Sequence, residues 1–357
     1  MTVELQAFAR QLATLTLPEQ LFGLVTGPRE LQRLYHQFAR IAHADRYQTP
    51  DDKALAHEAF TRLTALYDEA KQRLSAGLYG TNRPTTPTTI RHRRTSYTLT
   101  ATELAGDLSM LYLAEATGDR TGRVWLKVAR TPTENDWLRQ EASALTTLGK
   151  ASGNLSLHHY LPTLWDTFQI ANRQTNVLST TPGYIPILKL LRKYPEGIDP
   201  RHFVWIWKRL LTVLGFAHAQ EIIHGAVLPT HLLVNPSNHG LMLIDWCWSV
   251  PRGGTIKAIA ESARDLYAPE VLAKAPVGRA TDIYMGALTM MLLLGGVSSQ
   301  LSPPLPASVP PPFRRFLMAC TLPARQRRPA DAWALLDEFK DVAQAVYGPP
   351  RFVRLEV

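Results

Sequence analysis

Cysteine is nearly absent. The 357 residues hold only Cys247 and Cys320, and neither sits in a CxxC or a Cys/His cluster, which excludes a cysteine-built metal site and points to a reducing, cytoplasmic setting. Long apolar runs are missing too. The most apolar stretch, 285–297, falls short of the ~20 residues that span a bilayer and closely follows Asp282. It reads as a buried core helix, and no membrane partner is expected. The opening MTVELQAFARQLATL carries Glu4 and lacks the basic start, apolar run and small-residue cleavage site of a secretory signal, so it is expected to be a helix. Charge is not concentrated either. The net charge of +9 is dispersed, with small clusters at Arg91, Arg93 and Arg94 and at Arg325, Arg327 and Arg328. Neither is interleaved with stacking aromatics, so they read as a solvated linker and a structural loop, and no nucleic-acid partner is expected.

What is present is enough apolar material for two domains, at 45% hydrophobic and 19% charged content. Leu31, Leu34, Tyr35, Phe38 and Ile41 recur at three and four residues, as do Ala56, Phe60, Leu63, Tyr67 and Leu74, so two amphipathic helices are expected to pair as a hairpin. From 75 to 96 the composition shifts to Gly, Thr, Pro and Arg, with little to bury, and reads as a linker. Short β-like runs follow (YTLTATEL, SMLYLAEA, RVWLKVA), and helical patterns dominate after Asp199. Asp199-Pro200 is a good cap and first turn for a helix through Ala217. HLLV and LMLID are joined by the turn-rich NPSNHG as a hairpin. Strands followed by helices imply an α+β, two-lobed body. The segment LSPPLPASVPPPF reads as a rigid surface connection rather than a polyproline-helix ligand.

Several short motifs arrive in a fixed order. Lys127 ends VWLK, and Glu141 opens EASALTTL. His224 opens HGAVLPTHLLV, Asp245 opens DWC, and Glu270 ends YAPE. Asp282 lies in TDIYMG, and Arg328 precedes Pro329. Together and in this order they resemble the protein-kinase family, whose VAIK lysine and helical glutamate, HRD loop, DFG, APE glutamate, core-helix aspartate and late arginine stand at those places. Between Gly296 and Phe313 the chain is short and Pro-rich, so the helix that the family places there is expected to be lost. The resemblance implies structural roles for His224, Glu270, Asp282 and Arg328, with Glu270 and Arg328 paired.

The chemistry that the family needs is missing. Phosphoryl transfer requires a carboxylate to orient the attacking hydroxyl and an Asp and an Asn to hold magnesium. At the catalytic Asp position stands Ala226, at the loop lysine Leu228, and at the metal-binding Asn His231, a poor ligand for a hard cation. Of three loop glycines only Gly106 remains, in LAGDLSML, so backbone amides cannot approach phosphates closely. Trp125 stands two residues before Lys127, hence on the same face of the strand, where an indole would fill an adenine pocket. Lys127 with Glu141 reads as a retained ion pair. His224 reads as a packed core histidine, His231 as a loop filler with no second zinc ligand evident, and Trp246 as a large aromatic core filler. Asp245 has two readings, a lone metal ligand or a partner of backbone or Lys127, and a single carboxylate favours the second. No catalytic residue, metal or cofactor is expected; weak binding of ATP and magnesium stays open.

The N-terminal hairpin resembles the J-domain of DnaJ-type co-chaperones. LFGLV opens the match, His43-Ala44-Asp45 stands at the HPD signature, and AFTRLTALYDEA is similar to the following helix. The resemblance implies a DnaK-type chaperone as a partner, with Ala44 in place of the rigid proline weakening that role. The expected organisation is a small all-α J-domain-like module at 1–76, a flexible linker at 77–95, a kinase-like N-lobe at 96–186, a C-lobe at 187–345 and a tail at 346–357. The expected function is an inactive kinase-like scaffold that binds a protein client. An atypical Ser/Thr kinase and a co-chaperone that delivers a client bound by the pseudokinase are the alternatives.

Overall fold

A computed structural model describes residues 3–15, 17–23, 25, 27–75, 79, 88–153, 156–296 and 305–357, apart from the side chains of 3, 4, 101, 102, 156 and 158. The chain divides into two compact units, Met1–Ile90 with Thr98–Gly106 and Arg91–Tyr97 with Asp107–Val357.

Among the described residues the first unit holds four α-helices, α1 (Val3–Thr14), α2 (Glu19–Phe22), α3 (Pro28–Ile41) and α4 (Pro50–Ser75). Proline opens α3 and α4, where its missing N–H costs nothing and its fixed φ suits a helix. The expected hairpin is α3 against α4: Tyr35 stacks on Tyr67 at 4.2 Å, and its hydroxyl lies 3.3 Å from Thr64 Oγ1. Two further helices complete the core. Leu5, Phe8 and Leu12 of α1 are buried, with Phe8 stacked on Phe38 at 5.6 Å, while Phe22 of α2 meets Phe38 and Tyr67 edge-on.

The stretch expected as linker already carries strand β1 (Thr89–His92), followed by β2 (Thr95–Ala105); residues 76–78 and 80–87 lie outside the described residues. In the second unit β3 (Ser109–Gly118), β4 (Gly122–Ala129), β5 (Leu164–Ile170) and β6 (Arg173–Ser179) form a curled antiparallel sheet in the order β3-β4-β6-β5. The α5 helix (Asn135–Ser152) packs on it.

Among the described residues the second unit also holds β7 (Ile185–Pro186), α6 (Ile187–Lys193), α7 (Pro200–Ala219), β8 (Ile222–Ile223), β9 (Leu232–Asn235), β10 (Gly240–Leu243), β11 (Val250–Pro251), α8 (Pro269–Leu272), α9 (Arg279–Leu293), α10 (Pro311–Cys320) and α11 (Ala332–Tyr347). Asp199 caps α7 by accepting from Arg201 N at 2.8 Å, and β9 pairs with β10 across the expected turn. The expected core helix is α9, buried along almost its whole length. Of the Pro-rich stretch, 297–304 lies outside the described residues, 305–310 is not helical, and α10 begins at Pro311.

The carboxylate of Glu270 on α8 is held bidentately by Arg328, Nη1 to Oε1 at 2.8 Å and Nη2 to Oε2 at 3.1 Å, and Thr281 Oγ1 donates to Oε1 at 2.9 Å. Arg328 also donates to the carbonyls of Leu322 and Pro323 and lies over the Tyr284 ring at 4.3 Å. Every donor of a buried guanidinium needs such a partner, and here the set joins α8, α9 and the turn before α11. Arg328→Ala strands Glu270, and the expected cost is ~3–5 kcal/mol. It reads as a lower urea midpoint at unchanged slope; an unchanged midpoint would show that the pair is dispensable.

Candidate functional site

Strand alternation puts Trp125 and Lys127 on one face of β4, opposite Leu178 and Asn176 of β6. Lys127 is only 3% exposed, and its ammonium donates to Glu141 Oε1 at 2.7 Å and to Asp245 Oδ1 at 2.5 Å. Glu141, 1% exposed on α5, takes its second hydrogen bond from Asn176 Nδ2 at 3.0 Å; the same amide donates to Leu138 O. Burial drives Lys127 toward losing its proton, but Asp245 above all, together with Glu141, holds its pKa well above the ordinary lysine range.

Asp245 follows β10 and adopts a left-handed backbone, φ 63° and ψ 47°, a conformation that aspartate tolerates better than most residues. Burial alone would raise its pKa, but Lys127 and then His231 outweigh it and hold the carboxyl at about 2. Cys247 Sγ lies 3.9 Å from Lys127 Nζ, and burial pushes its thiol up, so it stays protonated. Glu141, Asp245 and Cys247 bring potential ligand atoms within 4.8 Å of one another. The Lys127 ammonium bonds both carboxylates and so already serves as their cation.

Trp246 is fully buried, donates from Nε1 to Leu243 O at 2.8 Å and meets His224 edge-on at 4.7 Å. Trp248 packs against Trp137 of α5 at 5.1 Å, and Gln140 Nε2 donates to Ser249 Oγ at 3.3 Å. These contacts fix α5, and with it Glu141, against the turn that carries Asp245.

The 224–231 loop is anchored to α9. Asp282 accepts from the backbone of His224 at 2.8 Å and of Gly225 at 2.9 Å, and its Oδ2 lies 2.9 Å from His218 Nε2. Thr289 Oγ1 donates to Val227 O at 3.0 Å. Gly225 has φ 78°, and a Cβ there would come within 2.4 Å of Ile256 Cδ1 and 3.0 Å of Trp248 O, so only glycine fits. His224 donates from Nε2 to Ile244 O at 2.9 Å and accepts at Nδ1 from Ala226 N at 3.3 Å. Ala226 and Leu228 are fully buried. His231 donates from Nδ1 to Ala226 O at 2.7 Å, and its Nε2 lies 3.5 Å from Asp245 Oδ2. Both histidines are thus committed to the protein.

The structure therefore brings Lys127, Glu141, Asp245, His224, Ala226 and His231 into one neighbourhood, with Asp282 behind it. Trp125 is half-buried against the same core, as is Leu108 of the turn that contains Gly106. Glu270 and Arg328 form their own cluster. In the first unit His43 and Asp45 are 57% and 90% exposed, 3.7 Å apart, flanking the half-buried Ala44. His36, Arg40, His43 and Arg46 line an open cavity of about 580 Å³ there. Sequence reasoning missed Asn176, His218, Cys247, Trp137 and Gly225. The readable signals among these were a polar residue in mid-strand and a histidine at the end of an apolar helix.

Burial holds His224 neutral, with its pKa lowered from 6.5 to about 4. The unfolded chain takes this proton first, so the contribution is complete above pH 6.5 and is lost as pH falls toward 4, by ~3 kcal/mol. Asp245 adds a separate step, present above the ordinary carboxylate pKa of 3.8 and lost as pH falls toward 2. Urea midpoints are expected to fall between pH 6.5 and 4 in the parent, and His224→Gln should flatten that limb. An equal slope in the variant would remove His224 from this account. Compared with protein-family models and curated proteins, the chain matches no family model and no curated relative.

Proposed function

We propose that this chain is a pseudokinase-like scaffold, a bilobal kinase-like body that binds a protein client without transferring phosphate, joined to a J-like helical docking module. One observation carries the reading: the Lys127 ammonium is bound by both Glu141 and Asp245, so the groups that would engage a nucleotide's phosphates and metal engage each other. Phosphoryl transfer needs a proton acceptor beside the attacking hydroxyl and oxygen ligands for magnesium. The methyl of Ala226 supplies no acceptor, and His231 is bonded to Ala226 O. Trp125 and Leu108 place apolar bulk against the core that such a cleft would open onto. The groups kept are those with structural partners: Asp282 on the loop backbone, Arg328 on Glu270, and Lys127 on Glu141.

For the first unit, Arg40 and Arg46 beside His36 and the exposed His43 favour docking to an acidic partner surface, which suits the DnaK-type chaperone that the J-domain resemblance implies. The test of the main reading is the full chain with radiolabelled ATP and magnesium or manganese, alone and with generic protein substrates. Incorporation is expected to be no higher than in Lys127→Ala, and incorporation that Lys127→Ala abolishes would establish an active kinase instead.

A further inference from the structure

We propose that a second site, a basic cavity at the start of α9, binds a phosphomonoester, the doubly charged phosphate of a phosphorylated side chain. The cavity measures about 340 Å³, at the small end of ligand sites. Its cations come from three places far apart in the chain: Arg252 after β11, Arg279 at the first position of α9, and Arg325 in the turn before α11. It shares no residue with the Lys127 cluster.

The charge in this cavity is not balanced by its protein partners. Arg328, which also lines it, is neutralised by Glu270. Glu221 alone serves both Arg252, at 3.3 Å, and Arg279, at 2.5 Å. Arg325 has a neutral partner, donating from Nη1 to Pro276 O. Four guanidinium groups thus meet two carboxylates in the contacts described, an excess that matches a phosphate dianion better than a single carboxylate. The Nε–H of Arg279 is buried with no hydrogen-bond partner among the described residues, a donor left without an acceptor.

The walls suit the same ligand. Gly253 and Gly278 line the cavity, and a Cβ on either would meet nothing within 4 Å, so there is room beside them for a group that enters; their N–H groups are already bonded, to Val277 O and Thr281 Oγ1, which leaves the guanidinium groups as the donors. Guanidinium forks match phosphate oxygens in pairs, which a point-charge ammonium cannot do. Mutual repulsion among the arginines is a standing cost that a bound dianion relieves.

The test is calorimetry on the full chain with two probes, inorganic phosphate and a phosphoserine peptide flanked by alanine and glycine, each at low and high salt. The peptide is expected to bind saturably, more weakly at high salt. Arg325→Gln and Arg279→Gln should each weaken it about tenfold, as the loss of one charge-assisted hydrogen bond would. Arg123→Gln, on an exposed pair with Glu115 away from the cavity, should leave it unchanged. Equal binding of inorganic phosphate, lost in the same variants, upholds the site and assigns it to free phosphate. Ligand-free melting curves identify any variant that misfolds, and Arg325→Gln, which leaves Glu221 paired, decides if Arg279→Gln does. No binding of either probe at millimolar concentration, or binding untouched by Arg325→Gln, overturns the proposal.

Discussion

An ammonium buried as deeply as that of Lys127 is tolerable only where negative charge meets it directly, and that requirement fixes three pieces of the second unit at once. Glu141 must be brought in on α5, Asp245 on the turn after β10, and Lys127 itself on β4. Around these, Asn176 orients Glu141, and the Trp137–Trp248 contact holds the helix to the turn. The net stability such a cluster adds is small, because desolvation offsets much of the attraction. Its effect is positional, since removing one partner leaves a charge stranded.

The same closure shapes what the site can do. Carboxylates that share an ammonium are not free to hold a hard divalent cation, and the proposed reading puts the buried Ala226 and Leu228 of the loop at 224–231 where phosphoryl transfer would need a proton acceptor and a cation. Meanwhile the backbone of that loop is held tightly, by Asp282 on two amides and by Thr289 on a carbonyl. A loop held this rigidly is consistent with the proposed scaffold, in which recognition depends on placement.

Local features were the most legible in the sequence. The Asp199 cap, the β9–β10 hairpin and the apolar stripes of α3 and α4 each follow from short-range rules, and each is in place. The pairs Lys127–Glu141 and Glu270–Arg328, the latter 58 residues apart, could be anticipated only from the order of motifs, because no periodicity joins residues so distant. Partners that no motif names stayed hidden: Asn176 looks like one polar residue in a strand, and His218 like the end of a helix. The convergence of Arg252, Arg279 and Arg325 is a product of tertiary structure alone. At the other end, TIRH has little to bury and reads as linker in the sequence, yet it forms β1, with Leu99 N donating to Thr88 O just before it.

The central claim is that the Lys127 cluster and the half-buried Trp125 leave no working nucleotide site. Calorimetric titration of the full chain with ATP and magnesium tests it most directly. The account predicts no saturable binding up to millimolar nucleotide, and micromolar affinity in the native sequence, lost in Lys127→Ala, would contradict it.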